Sequence, residues 1–437
     1  MDVKPIEICK KVKEAGGKAY FVGGVVRDQL LNKKSKDIDI EVFGLKPEML
    51  PPLLGPSVKF CGESFGVFKV DNIDISSPRR ERKVGAGHTG FDVSIDPFMS
   101  LKDAASRRDF TINAIYYDPL ENKYEDPYDG ISDLSARRLD VVSDRFKEDP
   151  LRVLRGMQFC SRFNLKPTNR TIFACRLLKG TFKELAKERV WGEWEKWAGR
   201  SVAPSVGLEF LAQTEWIDNF PELKAMIGCP QPAKYHPEGD VWTHTLHVCD
   251  EMAALGGDHV DMFIALLHDI GKKDTTKVYE DGKITAYGHA EHGFTLAREF
   301  FEKYFAEYLN KDLNQICQAI LLHMYRPQPA GAYKQKSVRK FMLRKLGCIS
   351  IDRFEKIIRA DHYGRPPLPK VVPADLENFI KDCRAYTPPV IKGQDLLNLG
   401  WTPSPEIGRK LYELESQHIA FGYDREKLLS SCKAKKC

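Results

Sequence analysis

Between residues 19 and 118, short apolar runs alternate with turn residues. The alternation predicts strands at 20–22, 38–42, 67–70, 73–76 and 91–95, with helices at 25–31 and 104–115. Residues 1–15 read as an amphipathic helix with Ile6, Cys9 and Val12 at helical spacing. Glycines Gly85, Gly87 and Gly90 among basic residues predict a mobile loop over 79–90. Beyond about 140 the two-residue period gives way to a helical one, over 148–163, 168–178, 181–199 and 205–215. Gly228-Cys229-Pro230-Gln231-Pro232 marks a break, and helices resume from about 241, interrupted at 366–373 and 388–389. The pattern predicts an α+β protein: a mixed head followed by helical regions.

Two stretches of the head carry chemistry. Ala19-Tyr20-Phe21-Val22-Gly23-Gly24-Val25-Val26-Arg27-Asp28 reads as a strand, a glycine turn and a helix start. Gly23 and Gly24 let backbone amides approach a phosphate, Arg27 can reach the same anion, and Asp28 can pair with a basic neighbour or cap the helix. In Lys36-Asp37-Ile38-Asp39-Ile40, Asp37 and Asp39 share one strand face, roughly 6–7 Å apart. Two bare carboxylates at that separation repel by about 2 kcal/mol in a half-buried site, and a bound Mg²⁺ removes that cost. Together the stretches imply metal-dependent chemistry on a nucleoside triphosphate.

Two further runs add to this. Arg107-Arg108-Asp109-Phe110-Thr111-Ile112-Asn113-Ala114 offers cations for a triphosphate and an amide for a ribose. In Glu148-Asp149-Pro150-Leu151-Arg152-Val153-Leu154-Arg155 the proline lies just inside a helix start, and Asp149, Arg152 and Arg155 recur every three residues on one face. A carboxylate accepts from the amino group of cytosine or adenine, and an arginine donates to the adjacent ring nitrogen. Guanine and uracil present a keto oxygen there and repel the acid.

Gly23-Gly24-x-Val26-Arg27-Asp28, Asp37-x-Asp39, Arg107-Arg108-Asp109 with Asn113, Glu148-Asp149-x-x-Arg152 and Glu188-Arg189-Val190-Trp191, in that order, closely resemble class II tRNA nucleotidyltransferases. These are the CCA-adding enzymes, with bacterial poly(A) polymerases as sister enzymes. The resemblance spans roughly 18–225. It implies a polymerase-β-like nucleotidyltransferase head holding catalytic Asp37 and Asp39, followed by a helical neck and body. It further implies that Asp149 and Arg152 read the incoming base. By the same likeness Arg27, Arg107, Arg108 and Arg155 hold triphosphate or nucleotide, Arg189 supports the neck, and the 79–90 loop helps the switch from C to A addition.

The C-terminal half contains His244, His268-Asp269-Ile270-Gly271-Lys272, His289, His292, His323 and Asp361. Imidazole nitrogens with carboxylates suit a catalytic divalent metal, and Lys272 is placed to hold a phosphate. The set resembles HD-domain phosphohydrolases over about 236–365. His244, His268, Asp269 and Asp361 match the four-ligand pattern, with His289 and His323 as ligands of a second metal. His292 reads as structural. Head and HD domain in one chain resemble the multifunctional bacterial CCA enzymes, which carry phosphohydrolase activity on cyclic and terminal ribose phosphates.

Composition narrows the setting. The net charge is +6 over 437 residues, with basic clusters at Lys33-Lys34-Ser35-Lys36, Arg79-Arg80-Glu81-Arg82-Lys83 and Lys433-Ala434-Lys435-Lys436, which suit a polyanion. Eleven scattered cysteines without a CxxC pair point to a reducing cytoplasm. No apolar run approaches a membrane span, and Met1-Asp2-Val3-Lys4-Pro5 lacks the apolar core of a signal peptide. The expected layout is a head over 1–140, neck and body over 141–228, an all-α HD domain over 229–370 and a helical region over 371–437. The expected partners are the tRNA 3′ end, CTP and ATP, with Mg²⁺ at the first site and Mg²⁺, Mn²⁺ or Ni²⁺ at the second. Partial activity (A-adding, CC-adding or polyadenylating), an HD hydrolase with a degenerate head, and a non-catalytic tRNA-binding module are the competing readings. Monomer and homodimer are both open.

Overall fold

A computed structural model describes residues 3–35, 37–55, 58–61, 67–83, 91–305, 310–327, 338, 341–385, 390–421 and 423–432. Expectations placed on Lys36, on 84–90 with Gly85, Gly87 and Gly90, on 388–389 and on the basic tail 433–436 lie outside the described residues. The chain divides into two compact units, 1–323 with 356–370, and 324–355 with 371–437.

The first unit opens with α1 (Val3–Glu14), which buries Ile8, Cys9 and Val12 against a sheet. Nine strands follow: β1 (Lys18–Val22), β2 (Ile38–Phe43), β3 (Lys59–Cys61), β4 (Val67–Val70), β5 (Ile73–Ser76), β6 (Arg79–Lys83), β7 (Phe91–Ile95), β8 (Tyr116–Asp118) and β9 (Lys123–Glu125). Seven of them form one sheet in the order β3-β4-β5-β2-β1-β8-β9. Strand alternation sorts side chains to its two faces. Ala19, Phe21, Ile40, Val42, Ile73 and Ile75 pack on the α1 side. Tyr20, Val22, Phe43 and Tyr116 pack on the other. Asp39 and Glu41 therefore share the second face.

Between strands lie α2 (Gly24–Leu30), α3 (Leu50–Leu54) and α4 (Leu101–Ala105). The predicted helix over 104–115 is not continuous. α4 starts earlier, where Ser100 accepts from the Asp103 amide. It ends before Arg107, and Phe110 bridges to Val141 in extended conformation. Only a 3-10 turn at Thr111–Asn113 follows. Residues 79–83, expected in the mobile loop, form β6, paired with β7.

After α5 (Gly130–Ser135), helices α6 (Leu151–Phe163), α7 (Asn169–Arg176), α8 (Lys187–Arg200), α9 (Pro204–Gln213) and α10 (Pro221–Lys224) pack around aromatic side chains. Trp191 stacks on Phe263 at 5.7 Å, and Trp194 meets Phe220 edge-on at 5.2 Å. Next come α11 (Val241–Ala254), α12 (His259–Leu267), α13 (Lys272–Thr275), α14 (His289–Phe305), α15 (Asn310–Leu322) and α16 (Ile351–Tyr363), whose last residues belong to this unit. α12 is apolar nearly all round and forms the buried axis of this bundle.

The second unit holds an aromatic cluster in which Tyr325, Phe354 and Phe379 surround Phe341 at 4.7, 4.8 and 5.1 Å. A separate small core contains Ile391, Leu396, Leu414, Leu428 and Cys432. No helix among the described residues is long and apolar enough to cross a membrane.

Candidate functional site: an acidic strand in a cationic cleft, and a buried histidine–aspartate cluster

The first site begins at the bend between β1 and α2. Gly23 adopts φ 70°, ψ −131°, a conformation that a side chain would strain. A Cβ there would lie 3.3 Å from an Arg108 nitrogen and 3.6 Å from Asp39 Oδ2, so the bare backbone runs against the acidic strand. Val22 is opposite Asp39 across the β1–β2 pair. On the other side β2 pairs in parallel with β5, setting Asp39 beside Asp74. Asp74 is an acid that sequence reasoning missed: a single Asp in Ile73-Asp74-Ile75-Ser76 has no motif, and only register across strands reveals it.

These residues line a cleft of about 1230 Å³ with Asp37, Arg107, Arg108, Asn113, Asp149, Arg152 and Arg155. Asp37 and Asp39 are open to it. Desolvation raises the Asp39 carboxyl above its ordinary range; Arg108 opposes this, and Asp74, Asp37 and Glu41 add to it. A cation beside these carboxylates removes that penalty, so the donor set fits a divalent metal.

The surrounding arginines are held by acids rather than left loose. Arg107 and Arg108 both reach the fully buried Glu41, at 2.7 and 3.2 Å. Burial alone pushes Glu41 up, but Arg108 and Arg107 outweigh it and hold the carboxyl below its ordinary value. Arg27 is buried, donates to Asp28 at 2.7 Å and to Asn113 at 2.7 Å, and lies over Phe163. Asn113 donates to Asp109 at 2.9 Å, and Arg155 closes the chain onto Asp109 at 2.7 Å. Against its burial, Arg155, Asn113 and Arg152 push Asp109 down to about 2. This network ties the head to α6.

Asp149 departs from expectation. It lies outside α6, extended at φ −126°, ψ 103°, because the residue before a proline avoids helical conformation, and Pro150 is itself the cap. It therefore does not share a helical face with Arg152 and Arg155. Its carboxylate accepts from Arg189 at 2.7 Å and from the Leu151 amide at 3.1 Å. Arg152 donates to the carbonyls of Arg145 at 2.8 Å and Arg107 at 2.5 Å. Asp149, Arg152 and Arg189 still meet on the wall of one cleft.

The second site is built from helix ends. His244 is in the first turns of α11, His268 caps α12, His289 opens α14, His323 follows α15, and Asp361 lies near the end of α16. Gly271 brings the His268-Asp269 turn against α14, since a Cβ there would fall 2.1 Å from the His289 carbonyl. Nδ1 of His268, His289 and His323 donates to the carbonyls of Ala265, Ala286 and Ile320, at 2.8, 2.7 and 2.6 Å. His244 Nδ1 lies 2.8 Å from Glu238 Oε1. All four rings thus turn Nε2 lone pairs inward.

What those lone pairs face is other acceptors. His244 Nε2 is 3.2 Å from Asp361 Oδ1, and His268 Nε2 is 3.3 Å from Asp269 Oδ2. His289 and His323 Nε2 are each 3.5 Å from Asp269 Oδ1 and 3.2 Å from one another. Nε2 of His244 and His268 and Oδ1 of Asp269 are buried with no hydrogen-bond partner. Such acceptors become satisfied together when a cation sits among them. Three candidate ligand groups lie here, and two of them, His244–His268–Asp361 and Asp269–His289–His323, contain these unsatisfied acceptors; the third is His236–Glu238–His244.

Electrostatics agree at His268 and His289. Burial lowers His268, and lowers His289 to about 4, favouring the neutral rings that bind metal. Burial also disfavours charged His244, but Asp361 and Glu238 outweigh it and raise its pKa. Despite burial, Lys272 and His268 hold Asp269 well below the carboxylate range, and His244 and Arg365 do the same for Asp361. Lys272 donates to Asp269 and to Gln231, each at 2.7 Å. His292 pairs with Asp274 at 2.8 Å, away from the cluster. Glu238, which bridges His236 and His244, was not anticipated; its loop position carries no periodic signal.

Comparison with known proteins bears on the two regions that hold these sites. Residues 19–140 match the poly A polymerase head domain, and 241–365 match the HD domain. The class is therefore a polymerase-type nucleotidyltransferase head joined to an HD domain in one chain. The multifunctional CCA protein of Pasteurella multocida is 37% identical over 323 residues, 71% of this chain and 75% of that one. That of Mannheimia succiniciproducens is 41% identical over 287 residues, 63% of this chain and 67% of that one. This chain belongs to the family of multifunctional CCA proteins. The CCA-adding enzyme of Bacillus stearothermophilus, solved with CTP, shares the fold at TM-score 0.66 and 21% identity, covering 99% of this chain and 97% of that one. The Thermotoga maritima CCA-adding enzyme, solved with tRNA, gives 0.61 and 18%, covering 99% and 95%.

Proposed function

We propose that this chain adds C, C and A to the tRNA 3′ end from CTP and ATP without a nucleic-acid template, and that its HD cluster hydrolyses phosphate or cyclic phosphate at nucleotide or RNA ends. The first reading is carried by one observation: Asp37, Asp39 and the Gly23 turn line one cleft, with Asp39 against the turn, and its wall also bears Asp149 and Arg152.

Asp37 and Asp39 would hold Mg²⁺, with Asp74 beside them. Bound there, the metal supplies charge stabilisation for attack of the terminal 3′-hydroxyl on the α-phosphate and departure of pyrophosphate. Gly23 and Gly24 keep side chains out of the triphosphate's path. Glu41 fixes Arg107 and Arg108 at the edge of the site, so they supply positive potential without having to reorganise. Arg152, anchored to two carbonyls, keeps further N–H groups for a ring nitrogen, and Asp149 accepts from an exocyclic amine. Arg189 orients that carboxylate. This donor–acceptor pattern selects C and A and repels G and U.

In the HD region the four histidines and the carboxylates of Asp269 and Asp361 would hold Mg²⁺, Mn²⁺ or Ni²⁺, which supplies an activated water near neutral pH. Lys272 holds Asp269 and adds positive charge where a phosphate arrives. Removing a terminal or cyclic phosphate restores the 3′-hydroxyl that the first site needs. We assign 1–140, 141–228, 229–370 and 371–437 to head, neck and body, HD region and C-terminal helices, and place the activity in the cytoplasm with tRNA.

The test is incubation of tRNA lacking its terminal trinucleotide with single labelled nucleotides, followed by sizing. CTP alone should add two residues, ATP alone none, and both together three. Addition of A alone, of C alone without a following A, or of a long A tract would transfer the assignment to a partial-activity relative.

A further inference from the structure

The cleft holds more positive charge than the nucleotide motifs use. Each motif arginine described above is already committed to an acid or to backbone carbonyls. Lys69 and Lys196, which also line the cleft, are paired with Asp74 and Glu193 at 3.1 and 2.9 Å. Four other lining cations, Lys33, Lys34, Arg162 and Arg200, make no ion pair with an acid among the described residues. None belongs to a nucleotide motif.

Two of the four, Lys33 and Arg162, converge on one aromatic ring. Arg162 lies 5.0 Å from the centroid of Phe163, Lys33 lies 5.3 Å from it, and the committed Arg27 lies 4.4 Å from it. Cation–π attraction is worth about 0.5–1 kcal/mol for each such contact. Two like charges about 8 Å apart repel by about 2 kcal/mol at an effective dielectric constant of 20. The end of α6 favours a cation through its dipole, which accounts for Arg162 and leaves the gathering of the others unexplained. Burial, then Arg27 and Arg200, push Arg162 down to about 10 against the opposing pull of Asp28 and Glu193.

We propose that Lys33, Arg162 and Arg200 grip backbone phosphates of the RNA strand that enters the cleft, a separate task from holding the triphosphate. The proposal rests on the nucleotidyl-transfer reading above. A nucleoside triphosphate meets the acid-bound metal and the motif arginines. The phosphates of the incoming strand have no metal of their own and need side-chain cations that are not already paired.

The experiment measures KM for tRNA lacking its CCA end, KM for CTP, and the salt dependence of tRNA binding. It compares the wild-type chain with Lys33→Gln, Arg162→Gln, Arg200→Gln and Arg162→Lys. Each glutamine variant should raise KM for tRNA about 5- to 20-fold and flatten the log–log salt slope by about 0.7–0.9. KM for CTP should stay within about twofold, and Arg162→Lys should recover most of the tRNA affinity. A rise in KM for CTP with tRNA affinity and salt slope unchanged would overturn the proposal in favour of the triphosphate. So would wild-type values throughout. A wild-type chain that adds no nucleotide would instead sink the transfer reading itself. If Arg162→Gln fails to fold, Lys33→Gln and Arg200→Gln decide on the same readouts.

Discussion

Asp39 and Asp269 are both acids set among candidate metal ligands, yet their surroundings are opposites. Asp39 projects from a strand into an open cleft, and the pairs that organise its neighbourhood, Glu41 with Arg107 and Arg108 and Asp109 with Arg155, are complete without any ion. Asp269 is buried among imidazoles whose outer nitrogens are satisfied by backbone carbonyls and whose inner nitrogens face only acceptors. On the proposed function the open site exchanges two different nucleotides and a growing RNA end, so its carboxylates would take up a metal together with the substrate. On the same reading the closed cluster has no such traffic through its ligands, and a metal held there would also stabilise the fold. The same two elements, carboxylate and divalent ion, would then serve turnover in one region and turnover plus stability in the other.

The sharpest break in this comparison is Asp39→Ala. It should reduce nucleotide addition by about 10³-fold or more, equivalent to about 4 kcal/mol in the barrier, with tRNA binding and thermal stability close to wild type. Substantial retained addition would remove Asp39 from the metal site. Next comes metal removal. Chelation should lower the melting temperature by about 5 °C or more, because a ligand present at 100 times its Kd adds about 2.7 kcal/mol. His268→Ala should erase both that shift and the hydrolase activity while leaving addition intact. A chelation shift that disappears in Asp39→Ala and persists in His268→Ala would reverse the comparison.

A smaller effect is expected at the glycine bend. Gly23→Ala places a methyl at positive φ, 3.3 Å from Arg108 and 3.6 Å from Asp39. Addition should fall about 10- to 100-fold with about 1 kcal/mol of stability, measured by turnover and denaturant unfolding, and hydrolase activity should not change. Last is an acid-limb effect, which touches stability alone and only at low pH. Asp109 titrates near 2 in the folded chain and near 3.8 when unfolded. Its folded pKa is depressed, so its stabilisation is full above about 4 and is lost as pH falls towards 2, roughly 2 kcal/mol in all. Asp109→Asn should flatten that part of the stability–pH curve.

Much of both sites was legible because their residues are contiguous or carry a period. Asp37 and Asp39, two apart, both line the cleft, although β2 begins at Ile38 and leaves Asp37 just outside the strand, and His268 with Asp269 ends an apolar helix that can only be internal. What was hidden depends on contacts between distant elements. Asp74 acquires meaning only from the β2–β5 register, and Glu41 reads as another strand acid until Arg107 and Arg108 close on it. Asp149 was misassigned to a helical face because the i, i+3 spacing was read through Pro150, whose ring forces the preceding residue to be extended. Arg107 and Arg108 read as helical for a similar reason: local spacing favoured a helix, but the Phe110–Val141 bridge required extended backbone.

The most direct test uses one RNA and three proteins: a tRNA lacking CCA and ending in a 2′,3′-cyclic phosphate, offered with CTP, ATP and divalent metal. The wild-type chain should open the end, release phosphate and extend by three nucleotides. Asp39→Ala should release phosphate and stop there. His268→Ala should leave the cyclic end untouched and unextended, yet extend the same tRNA when it carries a free 3′-hydroxyl. Extension by Asp39→Ala, or extension of the cyclic-ended tRNA by His268→Ala, would contradict the assignment of two separate metal-dependent activities to this chain.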